Sequence, residues 1–121
     1  MDKEQSSGFV GTPEERRQAI SKIAKTIEFP EYAVEFFYGN TVLHPAVVAT
    51  GKKMKEIREE KGLSREDIKN HIYCSPAFLE LIEEGLIPPT VETGLAFAKY
   101  FDLPWEDIFG DVAGLKTSIF T

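Results

Sequence analysis

Apolar residues recur along this chain at intervals of three and four, and short runs of Gly, Pro, Ser and Thr separate the repeats. That spacing predicts amphipathic helices. Thr12-Pro13-Glu14-Glu15 reads as a helix start: a capping hydroxyl, a proline at the first helical position, then acids at the positive helix end. The helix it opens carries Ile20, Ile23, Ala24 and Ile27 on one stripe, and Phe29-Pro30 breaks it. A short helix from about Glu31 to Tyr38 presents Tyr32, Val34, Phe36, Phe37 and Tyr38 before Gly39-Asn40 stops it. Pro45 opens a third helix that extends as far as Lys61, with Val47, Val48, Met54 and Ile57 inward. Its polar face alternates in sign, Lys52 with Glu56 and Lys55 with Glu59, as a solvated helix surface does.

Downstream the punctuation is tighter. Gly62 ends the third helix, and Ser64 caps the next, with Asp67 placed for a near capping box and an end near Ile72. Ser75-Pro76 starts a further helix that Gly85 ends. Thr90 caps a helix from about Val91 to Phe101, and Leu103 to Phe109 makes a last short one before Gly110. Phe101, Trp105 and Phe109 stand at helical spacing, which predicts core positions for all three. Short turns between helices, with no strand signal from 51 to 110, predict a compact all-α domain.

The aromatic density between Tyr32 and Tyr38 requires a cover. Packing on the downstream helices of the same chain satisfies it, and so does a contact between two copies, with the apolar tail residues Leu115, Ile119 and Phe120 adding to the pairing. Charge narrows the partners. The chain carries a formal −6, and residues 51–110 hold 8 Lys/Arg against 12 Asp/Glu. A polyanion therefore has no general attraction to this chain and needs a local patch. One cysteine, Cys74, excludes an intrachain disulfide, and the polar N-terminus and absence of a long apolar run predict a cytoplasmic protein without a membrane span.

The stretch Gly51-Lys52-Lys53-Met54-Lys55-Glu56-Ile57-Arg58-Glu59-Glu60-Lys61-Gly62-Leu63-Ser64 resembles the opening of lambda-repressor-like, XRE-type helix-turn-helix domains. The likeness continues through Phe78-Leu79-Glu80-Leu81-Ile82-Glu83-Glu84-Gly85, then Pro89-Thr90-Val91-Glu92-Thr93 and Ala96-Phe97-Ala98, and closes with Leu103 to Phe109. The resemblance implies an all-α architecture. It covers a five-helix domain at 51–110, and the residues around it read as a flexible leader at 1–11, a helical extension at 12–50 and a tail at 111–121.

It also implies site positions. Arg65 stands where a side chain touches a phosphate, and Ser75, Pro76, Ala77, Glu80 and Leu81 stand at the start and on the groove-facing side of the recognition helix, with Leu79 and Ile82 inward. Four residues or sets depart from the pattern. Lys69 replaces a small packing residue, and Tyr73 replaces the Gly that supplies a positive φ, so it either costs energy or changes the turn. The groove-facing set has no Arg, Lys, Asn or Gln, and Glu80, Glu83 and Glu84 make the helix acidic.

The chemistry of catalysis is absent from the pattern. His71 and Cys74 are two potential ligands and not a metal set, and no nucleophile–base pair or phosphate loop occurs, so no enzyme, metal or cofactor is expected. The resemblance implies a homodimeric transcription regulator that binds double-stranded DNA through the major groove. The alternative is a helix-turn-helix surface reused to bind protein, to which an acidic helix with Leu81 outward is suited.

Overall fold

The computed structural model describes residues 11–110. The greater part of the predicted leader, and the tail with Leu115, Ile119 and Phe120, lie outside the described residues. Seven helices follow in order: α1 Pro13–Ile27, α2 Glu31–Tyr38, α3 Pro45–Glu60, α4 Arg65–Ile72, α5 Pro76–Glu83, α6 Val91–Tyr100 and α7 Glu106–Phe109. Among the described residues there is no strand.

Local chemistry sets the boundaries. Thr12 accepts from the Glu15 amide at 3.1 Å, and the Glu15 carboxylate accepts from the Thr12 amide at 2.8 Å, a reciprocal box that fixes the start of α1. Ser64 and Asp67 form the same box at α4, with distances of 3.0 and 2.8 Å. Those bonds hold the Asp67 carboxyl below its ordinary value. Ser75 and Thr90 cap α5 and α6 through the amides of Phe78 and Thr93. His44 caps α3 by accepting from the Ala46 amide through Nδ1, a role its sequence context did not announce.

Helices α3 to α7 form the five-helix arrangement: α3 lies against α5 and α7, and α4 lies against α5 and α6. Met54, Ile68, Ile72, Leu79, Ile82, Ile87, Phe97 and Ile108 fill its interior. Trp105 does not join them; it is 51% exposed. The chain leaves α6 after Tyr100 and turns at Asp102 with φ +57°, so Phe101, Trp105 and Phe109 share no helix face. Ile108 takes the core position, and Phe109 packs its ring over Gly94.

The N-terminal helices join this core. Ala19, Ile20, Ile23 and Ala24 of α1, and Val34 and Tyr38 of α2, belong to the same buried cluster. Only part of the aromatic segment is covered, because Tyr32 and Phe36 remain on the outside. Helix α3 is continuous from Pro45 across residue 51, so extension and motif share it. Where α3 crosses α5 it has no room for a side chain. A Cβ on Gly51 would stand 2.0 Å from the Ile82 carbonyl oxygen.

In an open helix interior Gly→Ala stabilises by about 0.5–1 kcal/mol. Here the clash is with backbone, and overpacking costs about 1–3 kcal/mol. The steric term wins: Gly51→Ala is expected to lower stability by about 1–2 kcal/mol, seen as a lower urea midpoint at unchanged slope.

Candidate nucleic-acid interface

The α4–turn–α5 unit begins at the Ser64 box and ends where Gly85 takes φ +80° after α5. Between the helices Tyr73 adopts φ 57° and ψ 47° and donates its amide to the Lys69 carbonyl. The turn that usually needs glycine is thus retained, with a tyrosine in left-handed backbone whose ring is exposed. Lys69 is half-buried and directs its ammonium to Glu66, so the long chain leaves the α4–α5 contact instead of filling it. Cys74 follows, and burial pushes its thiol up to about 11, so it is no nucleophile at neutral pH.

Glu83, on α5, has a side chain with no exposure. It receives two bonds from Arg58, Nε to Oε2 at 2.8 Å and Nη2 to Oε1 at 2.9 Å, and a third from Arg65 Nε at 2.9 Å. The remaining Arg58 nitrogen donates to the Leu63 carbonyl at 2.7 Å. This bidentate hydrogen bonding raises the Arg58 pKa. Arg65, the residue expected on a phosphate, therefore gives its Nε to a buried carboxylate. Arg58 is not among the inward positions of α3 that the sequence predicts. Its spacing from Val47, Gly51 and Met54, all buried, was the available signal.

On α5, Ala77, Glu80, Leu81 and Glu84 recur at i, i+3, i+4 and i+7, which puts them on the side away from Leu79 and Ile82. Helix α1 lies against this helix. Lys22 of α1 reaches Glu84 at 2.7 Å and Glu80 at 3.6 Å. Leu81 is 1% exposed and part of the cluster that includes Ile20 and Ile23. The expectation that Leu81 points outward to a groove or a partner is corrected: the apolar stripe of α1 needs a cover, and Leu81 supplies part of it. Of the other expected positions, Ser75 and Ala77 are exposed and Pro76 and Glu80 partly so. The structure leaves the start of α5 open, keeps Glu80 and Glu84 partly exposed beside Lys22, and buries Leu81.

A helix-turn-helix family model matches residues 54–108. Those residues are a lambda-repressor-like helix-turn-helix domain. The family is one of DNA-binding regulatory domains and not of enzymes. Comparisons with curated proteins and with solved structures give no match to the chain. Among the described residues no helix is long and apolar enough to cross a membrane. The helix-turn-helix domain thus retains its turn and its caps, while Leu81 of α5 is buried and Glu80 and Glu84 pair with Lys22 of α1.

Three outcomes are expected from this geometry. Glu83→Ala leaves Arg58 buried without its carboxylate and costs about 3–5 kcal/mol, measured by chemical denaturation. Tyr73→Gly relieves left-handed strain and loses little buried surface, so it raises stability by about 1 kcal/mol. The third concerns pH. Burial pushes Glu84 up, but the bonds and charge of Lys22, the Glu80 bond and the Arg65 charge outweigh it and hold the carboxyl below 4.5. The Glu84 bond raises Lys22 above 10.5. The pair therefore contributes fully between those two values, fading as pH falls through the depressed Glu84 value or rises through the raised Lys22 value. The melting-point difference between wild type and Lys22→Met should be present at neutral pH and vanish in strong acid. A difference that persists in acid would assign Lys22 a packing role alone.

Proposed function

We propose that this chain is a helix-turn-helix module that works by binding protein, with α5 held by its own N-terminal helix. The observation that carries this reading is the packing of α1 against α5, with Leu81 buried and Lys22 on Glu80 and Glu84. With α1 in place only the start of α5 is open to a groove, and for Leu81 to reach one α1 must leave. Exposing Ile20 and Ile23 alone costs about 3–6 kcal/mol, at about 1.5–3 kcal/mol for each side chain. A cost of that size lowers an apparent affinity by about two to four powers of ten. The full face then offers Ala77, Glu80, Leu81 and Glu84, of which only Leu81 is newly bared, with no base-reading amide or guanidinium and two acids facing phosphates. The exposed surface elsewhere suits a protein partner. A groove of about 680 Å³ between α4 and α6 is lined by His71, Tyr73, Leu95 and Tyr100, with the His71 and Tyr100 rings stacked at 4.5 Å.

A second reading, a cytoplasmic transcription regulator that pairs on DNA, is favoured by the family match and by the retained turn, with Ser75 and Ala77 open at the start of α5. Under it α1 is a removable cover, and Arg65 turns from Glu83 to a phosphate.

Anisotropy of a labelled random-sequence duplex separates the two, using wild type and a Lys22→Met, Ile23→Ala variant whose α1 is loosened. The protein-binding reading expects no duplex binding by either at low or moderate salt. Steeply salt-dependent binding by the loosened variant alone would support the covered regulator. Binding by both would overturn the proposal.

A further inference from the structure

Helix α2 is apolar on two sides, and among the described residues only one of them is covered. Val34 and Tyr38 are buried, whereas Tyr32 is 80% and Phe36 is 72% exposed, and Phe29 just before the helix is 46% exposed. Tyr32 and Phe36 are four apart and so lie one above the other on the outer face. Phe37 meets Phe36 edge-on at 5.1 Å. Beside the aromatics run Glu28, Glu31 and Glu35, all exposed, and no Lys or Arg occurs from Glu28 to Tyr38. Two basic groups border this face from α1. Arg16 donates to the Gly39 carbonyl and lies 3.6 Å from Glu35, and Arg17 is bonded to Glu14. A cleft of about 380 Å³ between α1 and α2, lined by Arg16, Arg17, Ile20, Glu31, Tyr32 and Glu35, gives the face a concave border of mixed charge, so the acidic part of the face is its side toward Glu28, Glu31 and Glu35.

We infer that this outer face of α2 is a docking surface for a basic amphipathic segment of a partner protein. The inference rests on the protein-binding reading and names a surface for it apart from the α4–α6 groove. Apolar side chains of the segment would cover Phe29, Tyr32 and Phe36. Its lysines or arginines would meet Glu28, Glu31 and Glu35, with guanidinium groups also placed over the ring faces. Charge weighs against two other occupants. A two-fold contact between copies of this chain would bring the same acidic stripe from each side together. Nucleic acid would meet the stripe with like charge.

The probe is a labelled synthetic peptide with leucines at helical spacing and lysines and arginines elsewhere. Its control is a scrambled peptide of the same composition, and both are titrated into the full chain. The ordered peptide should bind at least about tenfold more tightly than the scrambled one, and Tyr32→Ser with Phe36→Ser should cost about tenfold, as loss of anchoring aromatics does. Glu31→Gln with Glu35→Gln should flatten the salt dependence while leaving the preference for the ordered peptide. Circular dichroism should be unchanged in both variants. Equal binding of the two peptides, or indifference to Tyr32→Ser with Phe36→Ser, would overturn the inference. So would a dimer of the chain that this double variant abolishes, since a second copy would then hold the face. Duplex binding by the unmodified chain would strike the protein-binding reading itself. Absence of both duplex and peptide binding would remove this surface and leave that reading standing.

Discussion

The Glu83 carboxylate joins three helices at one point. Arg58 comes from α3, Arg65 from the first turn of α4, and Glu83 from α5, and the acid has no solvent exposure. A buried carboxylate persists in charged form only when cations and donors surround it. Three N–H groups do so here, and the fourth donor of the set holds the Leu63 carbonyl at the α3–α4 turn. The angle between α4 and α5 is thereby fixed by directional bonds as well as by apolar contact. The same arrangement keeps Arg65 against the protein.

Charge and cover act together on α5. The helix has three acids in or next to it and no base, and its Glu80 and Glu84 find their counter-charge in Lys22 of α1. The extension thus supplies to α5 what a nucleic acid cannot: a cation and an apolar stripe. Ile20 and Ile23 are buried in this way, and the net charge of the assembled helices remains negative.

Much of the fold was legible because its signals are local. A hydroxyl or acid at a cap acts on amides two or three residues away, so Thr12, Ser64, Ser75 and Thr90 announced their helices, and all four caps form. The departure at Tyr73 was also legible, as a position that demands positive φ whatever residue fills it. The site was less so. Leu81 reads as outward from α5 alone, and its burial depends on α1, more than fifty residues earlier, which no local spacing reports. Trp105 failed for a related reason: helical spacing has meaning only inside one helix, and a left-handed residue at Asp102 intervenes. The aromatic run at α2 left two covers open, and the structure divides it, with Val34 and Tyr38 inside and Tyr32 and Phe36 outside.

Helix α3 has an architectural consequence. It starts at Pro45 and passes without interruption into the segment that the family model matches from 54. Its first turns hold Val47 in the interior, bring the Thr50 hydroxyl within 3.4 Å of the Ile108 carbonyl, and provide the bare backbone at Gly51 on which α5 rests. A fragment cut at the family limits would therefore lose the proline and histidine that start its first helix. It would also lose one wall of the α5 contact and an anchor of α7. Insertion or fusion at residues 45–53 should be far less tolerable than at the α2–α3 connection, because the rod would be broken where two halves of the molecule lean on it.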